Sequence, residues 1–160
     1  MKARLQKAQK KKTFKQAIDE TPDVKGYHMP GKQAILKGEK DKVDIHDNSK
    51  CGGSLFIDDS LIKQKKYPND NRWDYAIDYN GEVYFFEIHT ANSGEVSTVI
   101  KKLDWLINWL KTQAPEISKL KATKPYYWIQ SGGYNIPINS KYERAASQRG
   151  IKPISKLVLK

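Results

Sequence analysis

Two runs dense in aromatic and β-branched residues, Trp73–Tyr79 and Glu82–His89, flank the dipeptide Asn80-Gly81. Asn-Gly between such runs predicts a β-hairpin, because a type I′ turn needs positive φ at both central positions. Downstream, Val96, Val99, Ile100, Leu103, Leu106, Ile107 and Leu110 recur at helical spacing and predict an amphipathic helix. Asn92 and Glu95 have the spacing of a capping box at its start, and Pro115 ends or kinks it. Tyr126–Gln130 reads as a buried strand closed by Ser131-Gly132-Gly133. Ser140 and Glu143 form a second capping box for a short helix, with Gly150 at its C-terminal cap and Ile154–Leu159 as a last strand.

The first half is less regular. Residues 3–20 carry a weak helical pattern (Leu5, Ala8, Phe14, Ala17, Ile18) ended by Thr21-Pro22. Residues 22–53 read as loops with one short strand at Val43–Ile45, Ser54–Ile57 as a strand, and residues 63–72 as a polar connection. The order helix, three strands, helix, strand, helix, strand predicts an α/β fold with a mixed central sheet flanked by helices.

The tight turn fixes a register. With Tyr79 opposite Glu82, counting outward sets Asp74 opposite Glu87, in the closer, non-hydrogen-bonded kind of pair. Like charges directly opposite destabilise a sheet, so something must offset them. A divalent cation would, since Mg²⁺ is commonly held by one or two carboxylates plus waters. A shared proton or a basic neighbour would also serve, and Arg72 is the candidate neutraliser. His89 projects to the same face as Glu87, while Trp73, Tyr75, Ile77, Tyr84, Phe86 and Ile88 form the opposite, core face. The plain structural alternative is Asp74 capping a turn, Glu87 binding Arg72 and His89 as a satisfied edge histidine.

Charge and composition narrow the function classes. The net charge is +11, and Lys2, Arg4, Lys7, Lys10, Lys11, Lys12 and Lys15 supply seven of those charges with no acid among them. A basic segment of this kind suits a polyanion through phosphate neutralisation, so nucleic acid is the expected partner. The chain divides into a basic N-terminal helix or tail at 1–21 and one α/β domain at 22–160. No apolar run is long enough to span a membrane, and no apolar stretch follows the N-terminal lysines as in a secretory signal, so a cytoplasmic setting is expected. Cys51 is the one cysteine, so no internal disulfide forms, and with three histidines a structural zinc cage is not expected. Trp105 and Trp109 are expected to pack rather than to form an interface. Asp58 and Asp59 are expected in a turn rather than as a third acid, and nothing directs Glu20 towards the acids.

Asp74, Glu87-Ile88-His89 and the helix that follows resemble the PD-(D/E)XK phosphodiesterase superfamily, the restriction-endonuclease-like fold, over roughly residues 54–130. That pattern sets an Asp on one strand and Glu-x-Lys on the next, in a helix–three strands–helix–strand core. More narrowly, Gly53-Ser54, Arg72-Trp73-Asp74-Tyr75, Glu87-Ile88-His89 and Lys102-Leu103-Asp104-Trp105-Leu106 are similar to bacterial proteins of unassigned activity. The resemblance implies Mg²⁺ or Mn²⁺ held by Asp74, Glu87 and the carbonyl of Ile88, with the metal activating a water at a phosphodiester. His89 stands where the superfamily has lysine. It would tune the transition state or ligate the metal, and Lys102 on the next helix could supply the missing charge. Two function classes follow: a nuclease acting on DNA or RNA, with Lys7, Lys10, Lys11, Lys12, Lys15 and Arg72 on the phosphates, or an inactive module binding nucleic acid, a protein partner or a second copy.

Overall fold

The structure, a computed structural model, describes residues 11–160. Residues 3–10 of the expected first helix, with Lys7 and Lys10, lie outside the described residues. The part that remains is α1, Phe14–Asp19, opened by a capping box between Thr13 and Gln16. Phe14, Ala17 and Ile18 are buried in the main core. The other elements are β1 (Val43–Ile45), β2 (Cys51–Phe56), α2 (Ile57–Lys63), β3 (Tyr75–Tyr79) and β4 (Glu82–Asn92). They are followed by α3 (Val96–Thr112), α4 (Pro115–Ser118), β5 (Lys121–Asn135), α5 (Lys141–Gln148) and β6 (Leu157–Leu159).

Four strands form a mixed sheet in the order β2-β3-β4-β5, antiparallel except for β4 and β5. The parallel pair requires a crossover, which α3 and α4 supply. The hairpin has the expected register, with Tyr79 opposite Glu82 and Tyr75 opposite Phe86. Asn80 and Gly81 have φ of 53° and 81°, as a type I′ turn demands.

Both faces of the sheet are covered. Ala76, Val83 and Phe85 pack with Leu103, Leu106 and Trp109 of α3 and with α1. On the other face Tyr75, Ile77, Phe86 and Ile88 pack with Val43, Leu157 and Leu159. Those last residues belong to a separate two-stranded parallel ribbon of β1 and β6. The carboxylate face is therefore core as much as its opposite. Trp73 departs from the expected alternation: it precedes β3 and joins the helix-side cluster.

Several local expectations change. Ile57 opens α2 instead of closing a strand; its N–H and that of Asp58 both donate to the carbonyl of Asp74. Asn92 does not cap α3, because β4 runs on to it and the Glu95 side chain turns to His89. Pro115 starts α4, where its missing N–H costs nothing. β5 continues through Ser131-Gly132-Gly133 to Asn135, paired along β4. Ile154 reaches the sheet only as a bridge to Ile129, and β6 is three residues long. Ser140 does cap α5, but the carboxylate of Glu143 accepts from the N–H of Asn139 rather than returning to Ser140. Gly150 follows the α5 C-cap at a φ of 72°, as expected.

Among the described residues no helix is long and apolar enough to cross a membrane.

Candidate active site

The continued hairpin register brings Asp74 and Glu87 together beside the first residues of β3. Each carboxylate accepts a backbone N–H from the other strand. Glu87 Oε1 accepts from Asp74 N at 3.0 Å, and Asp74 Oδ2 accepts from Ile88 N at 3.1 Å. Glu87 is fully buried, at 0% exposure. A buried carboxylate demands a cation or a proton, because desolvation of an unpaired charge costs several kcal/mol.

Lys102 answers that demand. It lies on the inner side of α3, and its Nζ donates to Glu87 Oε2 at 2.6 Å. Its side chain is 18% exposed, so it is held in the site rather than extended into solvent. Burial works to lower its pKa, and the charges of Glu87 and Asp74 outweigh that and hold it above its ordinary value. Arg72 does not neutralise the acids as expected. Its Nε donates to Asp58 at 2.7 Å and its Nη1 to the carbonyl of Tyr67. The reason is local: α2 begins immediately under Asp74 and presents Asp58 in its first turn, nearer to Arg72 than Glu87 is.

His89 spans two glutamates. Nδ1 lies 3.2 Å from Glu87 Oε2, and Nε2 lies 2.7 Å from Glu95 Oε2. The hydrogen bond to Glu87 pushes the imidazole pKa up, against the effect of burial, and the bond to Glu95 adds to it. A protonated ring donates from both nitrogens, as this geometry requires. Glu95 was visible in the sequence only as half of a helix cap, so its role as second acceptor for His89 was missed.

Asp74 is the most perturbed group of the set. Burial, and after it repulsion from Glu87, push its carboxyl up from the ordinary 3.8 to about 8. Ionising Asp74 adds a negative charge beside Glu87, which is the charge that a bound cation would meet.

Among the described residues no group of three or more His, Cys, Asp or Glu side chains is arranged to hold a metal ion. The two carboxylates still have suitable donor chemistry for Mg²⁺ or Mn²⁺, which complete their coordination with water. Asp74 Oδ1 makes no hydrogen bond among the described residues, whereas both oxygens of Glu87 are engaged.

Of the basic residues expected on nucleic acid, Lys11, Lys12 and Lys15 are not gathered here. Lys11 donates to the carbonyl of Gly81 at the hairpin turn. The five residues of β3 separate that turn from Asp74, about 20 Å at strand rise. Lys12 bridges Glu20 and Glu116, which also accounts for Glu20, and Lys15 pairs with Asp19. Trp105 and Trp109 stack on each other at 5.7 Å, and Trp109 is buried, its N–H donating to Asp23.

No family model, curated protein or solved structure matches the chain.

Proposed function

We propose that this chain is a metal-dependent phosphodiesterase, a nuclease acting on DNA or RNA on a restriction-endonuclease-like core. The observation that carries the reading is the buried Glu87 carboxylate, set against Asp74 across the hairpin and bonded at 2.6 Å by a lysine from the following helix. Strongly shifted titratable groups gathered at one strand end are characteristic of chemical sites. Asp74 and Glu87, with the carbonyl of Ile88, would hold Mg²⁺ or Mn²⁺. When bound, the ion would lower the pKa of a water and polarise the phosphate. Lys102, and His89 in its protonated form, would offset the charge that builds on the phosphorane. Glu95 orients His89 and, after Glu87, favours its protonated form. The basic N-terminal segment would serve backbone attachment without sequence reading.

A specific observation favours a second reading. Glu87 is heavily committed: Asp74 N, Lys102 and His89 already bond its two oxygens. A closed network of that kind also suits an inactive module that binds nucleic acid or a protein partner.

Labelled single- and double-stranded DNA and RNA incubated with Mn²⁺ distinguish the two. The nuclease reading expects cleavage that Asp74→Asn and Glu87→Gln each reduce at least about 100-fold, while retardation in gels persists. Cleavage unchanged in both variants, or no Mn²⁺-stimulated turnover on any substrate, overturns it.

A further inference from the structure

Beside the acid site, between α3 and α5, lies a groove of about 400 Å³. Ser93 and Val96 of its lining flank Glu95, whose carboxylate lies 2.7 Å from His89 Nε2. Val96, Ser97, Ile100 and Lys101 share one stripe of α3, and Lys102, which bonds Glu87, begins the next. The groove therefore starts one residue away from the network around Glu87.

Its floor is apolar. Val96 is buried, and Ile100 and Ala145 pack against the main core. Tyr142 of α5 adds a ring that is 38% exposed. Its rim is basic. Lys101 and Lys141 are both exposed, and Lys141 Nζ lies 5.1 Å from the centre of the Tyr142 ring. Among the described residues no acid lines the groove. The acids nearest to it in sequence are committed elsewhere: Glu95 to His89, Asp104 to Arg149 and Glu143 to the Tyr134 hydroxyl. No side chain caps the first turn of α3, a helix of 17 residues, so the positive end of its dipole adds to the two lysines.

The complementary ligand is anionic along its length and carries flat apolar faces. An acidic protein segment offers the charge without the faces. A nucleic-acid strand offers both, and it presents the faces of its bases only when unpaired, because a duplex buries them in its own stack. An aromatic ring beside a basic track is the common means of holding such a strand. We propose that the groove seats a single strand of DNA or RNA running past the acids, one base against Tyr142 and the apolar floor and the flanking phosphates on Lys101 and Lys141. The proposal rests on the nuclease reading for the identity of its ligand, and it narrows that reading to single-stranded substrates. The volume lies within the range of ligand sites, about 300–1,000 Å³.

Fluorescence anisotropy of labelled oligonucleotides with the full chain in EDTA tests it, since binding is then read without cleavage. An abasic strand should bind about 10-fold weaker than the intact strand. Tyr142→Ala should bring the two to within about 2-fold of each other, and should weaken a duplex of the same length by less than about 2-fold. Tyr142→Phe should keep the preference for the intact strand. Lys101→Ala and Lys141→Ala should each lower the slope of log affinity against log salt by about 0.7. All three side chains are exposed, so the substitutions leave the core intact. The N-terminal lysines meet phosphates alone and contribute equally to intact and abasic strands.

Incubation of the same strand with Mn²⁺ separates this proposal from the nuclease reading. Base-dependent binding as above with no cleavage would remove the nuclease and leave the strand site standing. Cleavage by the wild type, with Tyr142→Ala binding and cutting the intact strand equally well, would remove the strand site and leave the nuclease. Equal affinity for intact and abasic strands, with the lysine effects retained, would mark a face for an acidic protein segment and overturns the proposal.

Discussion

Asp74 and Glu87 brace each other's strands: each carboxylate accepts a main-chain N–H from the strand of the other, Glu87 from Asp74 itself and Asp74 from Ile88. The pair thus extends the hairpin past its last ladder bonds by means of side chains. It also makes each acid a structural acceptor as well as a candidate for chemistry, so variants at the site should be read on two scales at once.

The first expectation concerns Lys102. Its removal strands a fully buried carboxylate, and breaking a buried pair from one side costs about 3–5 kcal/mol. Lys102→Met should therefore lower the urea midpoint strongly. Adding Glu87→Gln should recover part of the loss, because the remaining group is neutral. A double-mutant cycle from urea melts measures the coupling, and additive losses would mean that the 2.6 Å contact carries no energy.

The pH dependence follows from Asp74. Its folded-state pKa of about 8 exceeds the ordinary 3.8, so the native state binds the proton more tightly than the unfolded chain does. The contribution to stability is fully present below about pH 4 and is lost as pH rises towards about 8. Asp74→Asn keeps an acceptor for Ile88 N and removes the titration. The difference between variant and wild type should then shift in favour of the variant by on the order of 5 kcal/mol between about pH 4 and pH 8. Urea melts across that range check the sign. Mn²⁺, by contrast, should stabilise the wild type increasingly at higher pH and leave the variant nearly unmoved.

Gly53→Ala should destabilise by more than about 2 kcal/mol, since it combines a positive φ with overlap onto His28 and the Met29 carbonyl. Gly132→Ala has open space and ordinary φ, and should change the melting temperature little. Thermal denaturation of the two variants side by side gives the contrast.

Trp109→Phe should cost about 1–2 kcal/mol, for lost volume and one hydrogen bond to Asp23. The cost stays moderate because Tyr67 Oη also donates to the same carboxylate oxygen. Chemical denaturation of the variant measures it.

How much of this was written in the sequence depends on how local the cause is. Asn80-Gly81 sets its turn by backbone sterics, so the hairpin register and the juxtaposition of Asp74 with Glu87 were both readable. The period of α3 was readable for the same reason, although Ile107 of the expected apolar face is 40% exposed and Trp109 takes a core place instead. What counterbalances Glu87 was less legible. Arg72 is nearer in sequence and was the expected neutraliser, but the onset of α2 under Asp74 gives it to Asp58, and Lys102 arrives from a helix whose docking no local pattern fixes. The pairing of β6 with β1, across most of the chain, is non-local in the same sense. Glu95 was hidden by an ordinary local reading, as half of a helix cap.

The two-residue reversal at Asn80-Gly81 sits at the far end of the hairpin from the acids, yet it governs them. Side chains alternate along β4, so shifting its pairing by a single position would carry Glu87 from beneath α3 to the layer of Tyr75, Phe86 and Leu157, away from Lys102. Loop length at one tip and the acid pair at the other are thus a single inherited trait, and an insertion about 20 Å from both acids would silence the site without touching it.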